Sequence, residues 1–440
     1  MAPSAVPVLS HRCNAMHNRL SACEASRKIA AGELTAEKLT ASCLERVAER
    51  ETDVQAWAFI DPDTAIKQAR LLDQQPRRSR LHGIPFGIKD VIDTHDMPTQ
   101  YGSKIYEGNQ PGCDAACVAQ IREFGGLIMG KTVSTEFATR QPNKTRNPLN
   151  PAHTPGGSSS GSAAAVADFM VPIALGTQTS SSIVRPAAYC GVVGYKPSFG
   201  LINRAGLKFL SESLDTIGSL TRTIPDAALI VEELSGLTPT SFEGVDKLRP
   251  RIGLCRTPWW NAADDASKAN LEQAARTLAG AGARVADVTL DDSFAALDGI
   301  QIELSSYEFN RALTFERTHH ADLISPHLLG RIAAGGKVTR QRYEECVTAT
   351  RQARQRIADI FRDFDILISP SAPGEAPGID STGEPIFGLL WTLLRLPCLT
   401  LPCGHGPSGL PLGIQFIAAS GQDKALFLNA EWSMRNLQRD

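Results

Sequence analysis

Two segments rich in Gly, Ser and Thr constrain this chain more than anything else in it: TPGGSSSGSAAAVA (154–167) and ALGTQTSSSIVRPAAYCGVVGYKP (174–197). The first runs a Gly/Ser loop directly into an Ala-rich helix. Such a loop lets the backbone approach a ligand closely and aims amide N–H groups at it. The second sets a Thr/Ser cluster ahead of an apolar stretch. Upstream, GIPFGIKDVID (83–93) places Lys89 inside a mainly apolar, strand-like run. From Gly83 to Gly218 short β-branched runs alternate with stretches dense in Gly, Ser, Pro and Thr, which predicts an α/β core whose long loops carry function.

The flanking sequence fits the same class. Residues 20–75 read as helices, with a start at Thr35 after the Gly32 break. RIGLCR (251–256) predicts a strand, and 266–290 reads as helix, Gly stop and strand, a βαβ-like unit. Residues 300–362 are rich in helix formers. FDILISPSAP (364–373), LPCLTLPCG (396–404) and LPLGIQFIA (410–418) are further strand candidates. The length of 440 residues admits about three domains or one large one. With neither an internal repeat nor a low-complexity linker, the expectation is one domain over 19–440 behind a flexible tail at 1–18.

Composition narrows the function classes. Lys and Arg number 45 against 47 Asp and Glu, so the formal charge is −2 and no basic field for nucleic acid is expected. Ten cysteines are too dilute for a disulfide scaffold, and none is spaced as a zinc site. A reducing cytoplasm is the expected compartment. The longest small-apolar stretch, 163–176, is interrupted by Asp168 and Pro172 and is too short for a bilayer span. The nine histidines form no His-x-x-x-His pattern, so no metal is expected.

Three readings compete for the Ser-rich loop taken alone. It can be a structural turn whose hydroxyls satisfy backbone groups, with Ser158 as a helix N-cap. It lacks the Gly-Lys-Ser/Thr of a phosphate-binding loop. Gly157-Ser158-Ser159-Ser160-Gly161 matches the G-x-S-x-G nucleophile elbow, but that turn needs a strand before it, and NPLNPAHTP (147–155) carries three prolines.

Taken together, GIPFGIKD, GGSSSGS, GTQTSSS and RPAAYCGVVGYKP resemble, in the same order, the hallmark segments of the amidase signature family of serine hydrolases. The resemblance extends over GKTVSTEFA (130–138), the DILISPSAP stretch and LPCLTLPCG…GLPLGIQ, nearly the whole chain. It implies a mixed central β-sheet sandwiched between α-helices (α/β/α), with the signature core at about 83–218. It maps a catalytic lysine onto Lys89, a bridging serine in a cis peptide onto Ser158, and the nucleophile onto Ser182. It maps an oxyanion hole onto the backbone N–H groups of Thr179, Ser180 and Ser181, and substrate contacts onto Arg185 and Ser134. No cofactor is implied.

The sequence also departs from the family pattern. Ser160 replaces a loop glycine, and Ser180 and Ser181 stand where glycine or alanine is usual, so a φ unsuited to serine or a narrowed pocket is expected. Gln178 replaces an Asp, and Arg185 lies three residues after the nucleophile instead of two. This Gln/Arg variant resembles a subgroup acting on small amides, some of them carboxylate-bearing.

These residue types suit amide hydrolysis. A serine hydroxyl needs a base, and a lysine buried among Ile84, Pro85, Ile88 and Val91 is pushed toward its neutral, basic form. Ser158 relays the proton by accepting from Ser182 and donating to Lys89. Asp90, adjacent on the strand, is expected to point away. The expected function is hydrolysis of a small amide through a serine acyl-enzyme, with a small-molecule substrate, no nucleic acid, no membrane and a homodimer. Two alternatives remain open: the amidase subunit of a tRNA-dependent amidotransferase, against which the shifted Arg and the missing Asp count, and a non-catalytic scaffold of the same fold.

Overall fold

The computed structural model describes residues 16–438. Most of the expected tail therefore lies outside the described residues. Of its last positions, Asn18 is buried and donates its backbone N–H to Ser42 Oγ at 3.2 Å.

The N-terminal helices form where their caps predict. Thr35 Oγ1 accepts the N–H of Lys38 at 3.2 Å and opens the helix Ala36–Val54. Helices also cover Ala22–Ala30 and Pro62–Asp73. Between them the all-helical expectation gives way to a short strand, β1 (Trp57–Ile60). The helix before it ends in left-handed Gln55, and the Glu51 carboxylate then takes the N–H groups of Ala56 and Trp57 at 2.9 and 2.8 Å. That turn directs the WAFI segment onto a sheet edge, a tertiary contact without a local signature.

Among the described residues, eleven strands share one mixed sheet. The others are β2 (Pro85–Lys89), β3 (Leu127–Thr132), β4 (Ile173–Gln178), β5 (Val193–Lys196), β6 (Thr216–Thr221), β7 (Arg251–Cys255), β8 (Arg284–Val288), β9 (Ile366–Pro370), β10 (Cys398–His405) and β11 (Pro411–Ile417). Their order is β1-β3-β2-β4-β6-β5-β10-β11-β9-β7-β8. β3, β2 and β4 run parallel, as do β9, β7 and β8; the remaining neighbours are antiparallel. β7, the helix Asp265–Gly280 and β8 form the expected βαβ unit. Every residue of β2, β3 and β4 is buried, as parallel strands covered on both faces require.

This topology makes the site. Three adjacent parallel strands deliver their carboxyl ends to one edge: Lys89 from β2, the 133–135 segment from β3 and the 179–182 loop from β4. The helix Ser160–Ala167, which enters β4, packs in the same place. Its Gly161 donates N–H to Val133 O at 3.0 Å, and a Cβ there would lie 2.1 Å from Ala56 O. Gly161→Ala is therefore expected to cost roughly 1–3 kcal/mol through overpacking. Urea unfolding would show this as a lowered midpoint with an unchanged slope; an unchanged midpoint would contradict the packing.

Candidate active site

Lys89 ends β2 with its amine fully enclosed. Nζ lies 2.7 Å from Ser158 Oγ, 2.7 Å from Thr177 Oγ1 and 3.5 Å from Thr177 O. No carboxylate among the described residues lies within ion-pairing distance of it. Burial pushes its ammonium well below the ordinary lysine value, and the negative charge of Asp215 pulls part of the way back. Asp90 is turned to the other face of β2, where it lies 3.5 Å from Lys131 Nζ and accepts the N–H of Gln100. The alternation of the strand thus separates the two adjacent charges. Lys131 is itself pushed down to about 8 by burial, against the pull of Asp90 and Asp93.

Ser158 follows a cis Gly157–Ser158 peptide. It does not cap the Ala-rich helix. Ser159 holds that position without a side-chain capping bond, exchanging instead hydrogen bonds of 3.3 Å with the backbone of Thr177. The rest of the loop is pinned locally: Thr154 Oγ1 accepts the N–H of Gly156, and Ser160 Oγ donates to Gly156 O at 2.8 Å. Asn143 donates to Ser160 Oγ, so the hydroxyl that replaces a glycine has two partners.

Ser182 lies in the turn between β4 and the helix Val184–Cys190. Its carbonyl accepts the N–H of Ser159 at 3.3 Å, which ties the two serine loops together. Its hydroxyl makes no hydrogen bond among the described residues, and Ser182 is 7% exposed where Ser158 and Lys89 are at 0%. The structure thus joins Lys89 to Ser158 directly and brings Ser182 alongside with a free hydroxyl.

The 179–182 segment is oriented from its carbonyl side. Gln301 Nε2 donates to Thr179 O at 3.3 Å, Thr392 Oγ1 to Ser180 O at 2.7 Å, and the N–H of Arg185 to Ser181 O at 2.9 Å. In a trans peptide the N–H opposes the carbonyl, so the N–H groups of Ser180, Ser181 and Ser182 are turned the other way. Gln178 closes the turn: its Oε1 accepts from Ile183 and Val184 at 2.8 and 3.1 Å, and its Nε2 donates to Thr392 Oγ1 at 3.0 Å. Ser160, Ser180 and Ser181 all have negative φ, so no backbone strain accompanies them. Space for Ser181 comes from Gly388, where a Cβ would lie 2.5 Å from the serine side chain.

Arg185 is buried behind the cis peptide, with Nη2 donating to Gly157 O at 2.6 Å. Its Nε and Nη1 have no partner among the described residues, and burial pushes its pKa down to about 10, which leaves it a cation at neutral pH. Thr382 Oγ1, also buried and unpartnered, belongs to a side chain that would lie 3.0 Å from a Cβ at Gly157. Ser134 is buried beside the loop and donates its hydroxyl to Thr135 O at 3.0 Å, while the N–H of Thr135 reaches Ser158 O at 3.2 Å. Cys190 is a buried thiol donating to Pro155 O, its pKa driven up by burial.

Sequence reasoning missed several of these parts. Thr177 lies inside GTQT, so its place beside Lys89 had a signal in the motif. Gln301, Thr392 and Asp215 reach the loop from distant segments, and no local motif assigns them these contacts. His95, Asp96 and Asp114 come within 4.8 Å of one another, but Arg122 already occupies both carboxylates and the group is apart from the serine loops. No helix among the described residues is long and apolar enough to cross a membrane.

Comparison with known proteins agrees with this architecture. The family model Amidase matches residues 38–427. The chain is 35% identical to a glutamyl-tRNA(Gln) amidotransferase subunit of Lysinibacillus sphaericus, over 90% of this chain and 92% of the relative. It is 33% identical to the protein of the same name from Acidothermus cellulolyticus, over 93% and 92%. Among solved structures, native peptide amidase from Stenotrophomonas maltophilia superposes with a TM-score of 0.83 at 29% identity, covering 96% of this chain and 97% of that one.

The relatives correct one expectation. A homodimer that meets only a small-molecule amide, without nucleic acid, does not stand beside relatives named as a subunit of an enzyme whose name carries a tRNA. Net charge misled here because it reports a chain's average field, and one member of a complex need not itself carry the surface that meets RNA. With the family model spanning 38–427 and full-length relatives above 30% identity, this chain belongs to the amidase family of hydrolases.

Proposed function

We propose that this chain cleaves a carboxamide through an acyl-enzyme on Ser182, as the amide-cleaving subunit of a tRNA-dependent amidotransferase. The observation that carries the chemistry is the enclosed Lys89 amine, 2.7 Å from Ser158 Oγ and without a paired carboxylate. The assembly rests on the relatives named as glutamyl-tRNA(Gln) amidotransferase subunits.

In this reading neutral Lys89 takes the proton of Ser158 as Ser158 takes that of Ser182. The Ser182 hydroxyl closes onto Ser158 when substrate arrives, as catalytic hydrogen bonds often tighten only in the complex. Ser182 Oγ then attacks the carboxamide carbon. The carbonyl oxygen becomes an oxyanion facing the inward N–H groups of the 179–182 segment, where each well-aimed donor is worth about 3–4 kcal/mol. The proton returns through Ser158 to the departing nitrogen, ammonia leaves, and water releases the acid from Ser182. Ammonia passes to the active site of a partner protein in the complex. Arg185 supplies a cation with two unpartnered nitrogens, Nε and Nη1, for a substrate carboxylate, which glutamine carries beside its carboxamide. Ser134 holds the loop beside that substrate.

A free-standing hydrolase of small amides is the second reading. The likeness to peptide amidase and the Gln178/Arg185 variant favour it, and it uses the same chemistry.

A fluorophosphonate is expected to form an adduct on Ser182 of the purified chain, mapped by mass spectrometry. Ser182→Ala should give none, and Lys89→Ala should slow labelling roughly 10²–10⁴-fold while the fold is retained. Because the depressed pKa makes the neutral amine the active form, labelling should fall as pH drops through it and saturate below lysine's ordinary value of about 10.4. Wild-type labelling in Lys89→Ala would overturn the mechanism. Ammonia release from glutamine separates the two readings: strong dependence on added amidotransferase partners supports the first, and full activity of the chain alone supports the second. In either case Arg185→Ala should raise KM for carboxylate-bearing amides far more than for neutral ones.

A further inference from the structure

Asp215 is a buried acid that the mechanism above leaves unused. It stands directly before β6, and the β4–β6 register, Thr177 opposite Ile217 and Gln178 opposite Thr216, brings it across from Thr179. Its Oδ1 accepts the Thr179 hydroxyl at 2.5 Å; its Oδ2 accepts the N–H groups of Leu210 and Ser211 at 2.8 and 3.0 Å. Thr179 opens the segment whose N–H groups face the reacting carbonyl, and two residues earlier Thr177 holds Lys89. One carboxylate therefore touches the first residue of the oxyanion segment and stands one strand pair away from the base.

The charge is as informative as the contacts. Lys89 has no carboxylate at pairing distance, yet becomes an ammonium whenever it takes the Ser158 proton. A direct pair would raise its pKa too far for a base; no counter-charge at all would make the ammonium too costly in a dry site. An acid held one shell back meets both demands. The charges around Asp215 are Lys89, Arg204, which donates to Asp215 O at 2.9 Å, and the acid Glu308. Burial pushes the Asp215 carboxyl up, Glu308 adds to this, and the hydrogen bonds from Thr179, Ser211 and Leu210 pull it back toward the carboxylate. Glu212 and Arg395 complete the charges nearby: Arg204 donates to the Glu212 carbonyl at 2.9 Å, and Arg395 donates to Ser213 O at 2.9 Å.

We propose that Asp215 is a positioning residue for amide cleavage, fixing the oxyanion segment through Thr179 and serving as the distant counter-charge for the ammonium formed on Lys89. The inference rests on the Lys89–Ser158–Ser182 reading. In the step it supports, the Ser182 O–H bond breaks and its proton moves through Ser158 to Lys89, the O–C bond forms as the carbonyl π bond breaks and leaves its pair on oxygen, and the cation on Lys89 matches that oxyanion.

The test follows fluorophosphonate labelling of the full chain against pH, which needs no knowledge of the substrate. Removing the negative charge in Asp215→Asn makes Lys89 easier to deprotonate, so the acid limb of the labelling rate should move down by roughly one pH unit. The plateau rate should fall roughly tenfold or more as the oxyanion segment loosens. Thr179→Val keeps the charge and removes only the hydroxyl; its plateau should fall while its acid limb stays. Asn cannot accept both N–H groups that bind Oδ2, so folding is checked by thermal unfolding, and Thr179→Val tests the clamp even if Asp215→Asn is unstable. A purely structural Asp215 would lower labelling only in step with the folded fraction, leaving the limb unmoved; that result, or an undiminished plateau in Thr179→Val, overturns the inference. A wild-type chain that takes no label brings down the underlying mechanism as well, whereas a labelled wild type with an unmoved limb in Asp215→Asn brings down this inference alone.

Discussion

The buried amine of Lys89 meets two hydroxyls and a carbonyl and no carboxylate, and the surrounding architecture follows from keeping it so. An ammonium in a dry site without a partner is costly, so the neutral form of the amine gains. β2 is buried along its whole length because helices cover both faces of a parallel strand. The same topology that excludes water from Lys89 also brings the ends of β3 and β4 beside it. Enclosure of the Lys89 amine and convergence of the serine loops are one geometric fact.

Among the described residues two further lysines are fully buried, Lys131 and Lys196, and they differ from Lys89 in what they meet. Lys131 sits on the neighbouring strand, in register with Ile88, and so projects to the face opposite Lys89. There it finds Asp90, the carbonyl of Ile92 and the hydroxyl of Thr99. Lys196 donates to Pro197 O at 2.9 Å. Strand alternation sorts adjacent charges into two environments, one with an acid at hand and one without. A single-residue slip of β2 would exchange Lys89 and Asp90 between faces and destroy both.

The 179–182 segment is held by its carbonyls and side chains, which leaves its N–H groups to turn the other way. Those holds come from far along the chain: Gln301 from a helix, Thr392 from another, Asp215 from the loop before β6. Serines at 180 and 181 in place of smaller residues are accommodated because Gln301 donates to Ser180 Oγ at 3.2 Å and Gly388 leaves room for Ser181. Strain was therefore the wrong expectation, since φ at these positions is an ordinary negative value.

Local patterns in the sequence were enough for the α/β class, for the start at Thr35, for the βαβ unit of 251–288 and for the motif positions of Lys89, Ser158 and Ser182. Each depends on neighbours within a turn or on an ordered run of motif residues. The strand at 57–60 was missed because a four-residue edge is defined by its partner β3 rather than by its own composition. Charge balance also gave no sign of the tRNA that the names of the relatives carry. Strand alternation already told that Asp90 turns away from Lys89; only the tertiary structure decided that Lys131 meets it there, that Arg185 lies behind Gly157 with two nitrogens unpaired, and that Asp215 reaches Thr179. A sequence carries side-chain chemistry and local periodicity, whereas burial, counter-charge and the direction of an N–H group belong to contacts between segments that meet only once the sheet has formed.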